Sequence, residues 1–154
     1  MQLFDIRDYE LPSYDEIDWK QTKHNVGIFI AAYKTARERV GQPILPKLTS
    51  EYTLVNFESD SSSKIETNTS LEIYQSEYER LHKYFVVGYS SIIHPYRPEI
   101  TERRRKIFML RYFYGLTVSN VSERIHYQKN IVVDDSKKTM LQFSCGLSLL
   151  VLKK

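Results

Sequence analysis

The chain has 154 residues, 42% of them hydrophobic, and a net charge of +3, which fits one compact domain or a small domain with an added module and excludes wholesale disorder. Five glycines and five prolines are too few for a turn-rich β-sandwich, and a single cysteine excludes an internal disulfide framework and a cysteine-built metal site. The first residues lack the basic-then-apolar pattern of a signal peptide, and no apolar run approaches the ~20 residues that span a bilayer, so a cytoplasmic protein with no membrane partner is expected.

Residues 1–13 read as an extended arm. Asp15 or Asp18 can cap a helix that begins near Trp19. From there Trp19, Thr22, Val26, Phe29, Tyr33, Ala36 and Val40 recur at alternating steps of three and four, which is one stripe of one helix. Gly41 ends it, with Pro43 just beyond. Residues 42–68 read as a flexible connector, punctuated by Pro43, Pro46 and a serine-rich run at 59–64, with a short strand expected over 52–57. Thr69-Ser70-Leu71-Glu72 fits a capping box that opens a second helix. Its stripe is Leu71, Tyr74, Tyr78, Leu81, Phe85, Gly88 and Ile92. The two stripes can cover each other as a hairpin, or each can meet a second subunit; the spacing leaves both open.

His94-Pro95-Tyr96-Arg97-Pro98 stops the second helix. Thr101 can cap the next, which should run to about Tyr114 and close at Gly115. Thr117 can cap a short helix, Val118 to Ile125. A tight turn at His126-Tyr127 leads into a last helix from about Gln128 through Phe143, with Gly146 as its break. Cys145 lies in the apolar run 143–152 and reads as a buried small hydrophobe. The expected organisation is an arm and long helix (1–41), a connector (42–68), a second long helix (69–98) and a helix-turn-helix module with a helical tail (99–154). The fold class is all-α.

The order helix, glycine turn, short helix, tight turn, basic helix is that of a helix-turn-helix. Ile107, Leu110, Leu116, Val121 and Ile125 can form an apolar platform on which the last helix sits through Val132 and Met140. Charge follows the same division. Residues 102–138 hold nine Lys and Arg against four Asp and Glu, whereas the first 101 residues are net acidic. A basic rear suits a polyanion such as double-stranded DNA. Candidate DNA contacts are Gln128, Lys129 and Asn130 at the start of the last helix, and Val133 and Lys137 further along it. Lys138, Arg124 and Thr117 lie nearby. Val133 can equally be core. Arg103, Arg104 and Arg105 oppose the dipole of their own helix, so they point to an external anion or acidic partner, or to pairing with Glu99 or Glu102.

The set Arg104, Lys106-Ile107, Leu110-Arg111-Tyr112, Gly115-Leu116-Thr117, Val121, Ile125, Lys129, Lys137-Lys138, Leu141 and Phe143 resembles sigma factor region 4. It is more similar to the phage-associated ArpU regulators. Leu11-Pro12, Asp15, Lys20, Thr22, Asn25-Val26, Phe29 and Tyr33, and the closing run 147–153, resemble that family too. The resemblance covers most of the chain outside the connector. It implies a DNA-binding regulator, of the kind that activates phage late genes or autolysin genes. This chain departs from the family pattern at Val118, Ser119 and Asn120, at Gln128, Asn130 and Ile131, and at Asp134 and Ser136. Asp134 and Asp135 on a groove-facing helix would repel phosphate. They favour an alternative, a helical adaptor or inhibitor that docks on RNA polymerase or another host protein.

Enzyme chemistry has little support, and neither cofactor nor metal is expected. The four histidines lack ligand spacing. Glu79 and His82 stand at i and i+3 without a second copy of that motif, and read as a surface pair. Tyr33, Tyr74 and Tyr78 lie on the apolar stripes and read as core rather than as a stacking surface. Self-association to a homodimer is expected, through the helix stripes or the apolar tail 143–152.

Overall fold

A computed structural model describes Leu3, residues 10–55 and residues 69–154, with only the backbone of Thr69. Most of the arm, the serine-rich run and the proposed cap at Thr69 therefore lie outside the described residues. The protein is all-α. After a 3-10 turn at Tyr14–Glu16 come α1 (Trp19–Arg39), α2 (Thr69–Ser90), α3 (Pro98–Phe108), α4 (Val118–Ile125) and α5 (Lys129–Gly146). A π-helical turn, Met109–Phe113, extends α3. No strand occurs among the described residues; two isolated bridges join Ile17 to Leu152 and Leu48 to Leu54.

The helix starts and stops follow local chemistry. Asp18 caps α1 by accepting from the Gln21 N–H at 3.0 Å. Gly41 (φ 80°) and Gly115 (φ 69°) take left-handed conformations beyond α1 and beyond the π-turn. Pro98 opens α3, where its missing N–H costs nothing. Thr101 is thus inside α3 rather than its cap. Its hydroxyl instead accepts from the His94 N–H at 2.6 Å and ties the preceding loop to the helix.

α1 and α2 lie against each other, so their stripes are covered within the chain. Val26, Tyr33, Ala36, Tyr78, Phe85 and Ile92 join one buried cluster. The cluster does not end at the hairpin. Phe108, Met109, Phe113, Met140 and Phe143 belong to it. Phe143 sits 4.5 Å from the Phe108 ring and 6.0 Å from that of Phe29, centroid to centroid. Met140 therefore seats in this large core, and not on the small platform of the module. His82 is also inside, not on the surface. Its Nδ1 is 2.6 Å from the Tyr33 hydroxyl, while Glu79 stays exposed and accepts from Gln75.

The front of the connector is held, not loose. Arg37 Nε donates to the Pro43 carbonyl at 2.7 Å, and the Tyr114 hydroxyl donates to that of Pro46 at 2.5 Å. Leu54 is buried, and Leu48 packs beside it. Instead of a strand at 52–55, a turn at Thr49–Tyr52 brings Leu54 back to Leu48, with Tyr52 at φ 63°. After Gly146 a turn at Leu147 and Ser148 leads into an extended, not helical, tail. The Asp18 N–H donates to the Val151 carbonyl and the Lys153 N–H to that of Glu16, both at 2.8 Å. Leu147 and Leu149 pack on the large core. The tail that sequence offered for dimer contact is thus bound to its own chain. Cys145 is exposed, because the buried stripe of α5 runs Val132, Ser136, Thr139, Met140, Phe143 and Cys145 falls on the other side.

Candidate nucleic-acid interface

The platform forms as the sequence predicts, Met140 apart. Ile107, Leu110, Val121 and Val132 make a second buried cluster, with Leu116, Val118 and Ile125 packed on it. Thr117 caps α4: its hydroxyl accepts from the Asn120 N–H at 3.1 Å. His126 ends α4 in the left-handed region (φ 61°), and the Ser122 hydroxyl donates to the Tyr127 carbonyl at 2.5 Å across the turn. The Gln128 carbonyl then accepts the first backbone bonds of α5, from Ile131 and Val132. A short, doubly fixed turn thus sets the angle between α4 and α5.

The leading turns of α5 are open. Gln128, Lys129, Asn130 and Lys137 are exposed, and Val133 is 39% exposed, so Val133 is not core. Arg124 and Thr117 are exposed beside them. Lys138 is half-buried and pairs with the exposed Asp134 at 2.9 Å, one turn back. Arg124, Lys129 and Lys137 have no acidic partner among the described residues. The open face ends near Lys138, because Leu141 is buried. The Tyr14 turn lies along that flank. Burial raises the Tyr14 hydroxyl above its ordinary pKa, and the charges of Asp134 and Asp135 raise it further against the pull of Arg104.

Asp135 is the main surprise. It does not face outward but is 2% exposed. Arg103 Nε donates to its Oδ2 at 2.6 Å, and Arg104 Nε stands 3.7 Å from its Oδ1. Burial disfavours the Arg103 charge, but the hydrogen bond and field of Asp135 outweigh that and hold its pKa above the usual value. Arg104 also donates to the Ile93 carbonyl at 2.9 Å and Arg105 to that of Ile92 at 3.0 Å. The three arginines are therefore internal struts. They pair with Asp135 and with backbone carbonyls rather than with Glu99 or Glu102, and Glu99 pairs with Arg97 instead. Arg111 is likewise internal, donating to the Leu116 carbonyl at 2.8 Å. Four of the nine cations of 102–138 are thus taken up by internal contacts, Arg103 and Arg104 tying α3 to α5.

The residues that orient α5 were legible in principle. Val132 to Asp135 and Ser136, then Thr139 and Met140, then Phe143, is the same three-and-four rhythm that marks α1 and α2. Ser136 donates to the Val132 carbonyl at 2.6 Å, and the Tyr112 hydroxyl donates to the Ser136 carbonyl at 3.1 Å. Polar residues on an inward stripe signal a buried pair on the neighbouring helix. Behind the turn lies an open cleft of about 430 Å³ whose walls include Glu51, Glu102, Arg103, Lys106 and Arg124. Its mixed charges favour neither an anion nor a cation. No group of His, Cys, Asp and Glu among the described residues is arranged to hold a metal ion, and no helix of theirs is long and apolar enough to cross a membrane.

No family model, no curated protein and no solved structure matches this chain.

Proposed function

We propose that the protein is a DNA-binding transcription regulator that places the first turns of α5 in the major groove. One observation carries this reading. The N-terminal half of α5 turns Lys129, Asn130, Val133 and Lys137 into solvent while Val132 seats it on the platform, with Arg124, Lys129 and Lys137 uncompensated around it. A helix held this way fits a groove about 12 Å wide, with cations at its edges for phosphates. Gln128, Lys129, Asn130 and Val133 then read base edges, Val133 against a thymine methyl. Lys137, Lys138, Arg124 and the Thr117 end of α4 bind backbone. The ArpU-like residue pattern adds the expectation of an activator of phage late or autolysin genes. No catalysis and no cofactor is invoked.

The rival reading, a helical adaptor or inhibitor that docks on RNA polymerase or another host protein, rested on two acidic residues on the same face. Asp135 lies inside the molecule, and the exposed Asp134 beside Lys138 is the acid that still supports it.

A gel-shift titration against fragments selected from a genomic pool tests the proposal. Three to four phosphate contacts per chain predict a loss of roughly 40-fold to 150-fold in affinity between ~50 and ~200 mM salt. Lys137→Ala should weaken all sequences alike and lower the salt slope by about one, while Lys129→Ala should cost ~1–3 kcal/mol on the preferred site. Absence of binding at low salt would sink the DNA reading and leave the adaptor.

A further inference from the structure

Both surfaces that sequence offers for self-association, the long-helix stripes and the apolar tail, are covered within the chain. α2 carries another. Ile73, Glu77, Arg80, Tyr84 and Val87 recur at steps of four, three, four and three, on the side away from the buried Tyr78, His82 and Phe85. Ile73 is 61% exposed, and Tyr84 and Val87 are 50% exposed each. Large apolar side chains scattered singly on a surface need no explanation, but a row along one helix does. Between the two flanking apolar positions sit one acid and one base.

We propose that this stripe is the contact between two copies of the chain, with α2 lying antiparallel to its twin about a twofold axis between residues 78 and 79. A twofold contact must be complementary to itself. In this register Ile73 meets the partner's Tyr84 and Glu77 meets the partner's Arg80, and the axis repeats each pairing. Apolar Ile73 meets apolar Tyr84, acid meets base in the middle, and Val87 at the far end reaches the partner's Ser70. Other arrangements fail that test. A parallel pair sets Glu77 on Glu77 and Arg80 on Arg80. Moving the axis to residue 82 sets Glu77 against Val87. Arg80 has no ion pair among the described residues, and the contact of Glu77 with Arg39 (3.4 Å) is exposed and yields readily to a second cation. Five side chains per copy fall well short of the ~20–30 residues a side of a standard interface, so the dimer is weak and transient. This inference is independent of DNA binding, and failure of either leaves the other standing.

Two measurements test it. Sedimentation equilibrium from ~10 to ~500 μM should show a monomer–dimer equilibrium. Arg80→Glu places like charges at both central pairings and should weaken association on the order of tenfold. Adding Glu77→Arg to it should restore association. In a Cys145→Ser background, Ile73→Cys with Tyr84→Cys should give a covalent dimer on mild oxidation. Within one chain those positions are ~16 Å apart along the helix, too far to bridge. The exposed control pair Glu72→Cys with Glu79→Cys, on the flank of α2 turned away from the stripe, should stay monomeric. A monomer over the whole concentration range, an unaffected Arg80→Glu variant, or crosslinking equal to the control would each overturn the proposal.

Discussion

Asp134 and Asp135 are adjacent acids with opposite fates, and replacing each by asparagine measures the difference. Asp135 is 2% exposed and faces Arg103 and Arg104, whose side chains are 20% and 10% exposed. Removing its charge leaves two largely desolvated guanidinium groups without a counter-ion. Loss of one partner from a buried pair costs about 3–5 kcal/mol. Asparagine still offers an acceptor and Arg103 keeps some solvent, so Asp135→Asn should cost ~2–4 kcal/mol. By thermal melting that is ~4–16 °C for a chain this size. Asp134 is 56% exposed and its partner Lys138 is 39% exposed, so Asp134→Asn should cost well under ~1 kcal/mol. Urea unfolding of both variants, read at unchanged slope, gives the comparison directly. Equal losses, or an Asp135→Asn variant as stable as the parent, would refute the internal-strut account. On the proposed DNA-binding reading, affinity should divide the other way. Asp134→Asn removes repulsion from the open face and should tighten binding, whereas folded Asp135→Asn should lose site preference as α5 turns on its seat.

Other expectations rest on single contacts. Thr117→Ala removes the α4 cap and should cost about 1 kcal/mol in urea unfolding, with Thr117→Ser recovering most of it. A Cβ at Gly88 would lie 2.6 Å from the Phe143 ring, which is fully buried against Phe108 and cannot retreat. Gly88→Ala should therefore destabilise by ~1–3 kcal/mol despite its better helix propensity, as read by thermal melting. Burial pushes the Tyr89 hydroxyl up to about 12, against the opposing pull of Arg105. A raised folded-state value means its contribution is complete below the unfolded pKa of about 10 and is lost as pH rises through about 12. Tyr89→Phe should flatten the fall in stability over that alkaline window, and an unchanged profile would remove Tyr89 from the account.

Much of the helical layout was readable because it depends on short-range rules. Three-and-four spacing located α1 and α2, Gly41 and Gly115 closed their segments, and Thr117 fixed the start of α4. What failed depends on partners distant in sequence. The start of α3 was misjudged because Pro98 and Thr101 are both credible openers, and only the tie from Thr101 to His94 decides between them. The arginine run looked free because Asp135 is 32 residues away from Arg103. Met140 was assigned to the small platform because no local pattern says that α5 outgrows it. Cys145 was misplaced because an apolar neighbourhood in sequence does not fix which side of a helix is inward. Of the proposed contact residues, those at 128–130 and 137 stand together in the open, while Lys138 already holds Asp134.

Ile107, Phe108, Met109 and Leu110 are all buried in succession, which one face of a helix cannot achieve. Ile107 and Leu110 point into the platform cluster and Phe108 and Met109 into the large core, so the end of α3 is a keystone wedged between two vaults. Neither vault can shift against the other without opening both. On the proposed reading, DNA lying along α5 therefore meets a seat braced from two sides, and accommodation falls to the duplex or to the tips of the lysines.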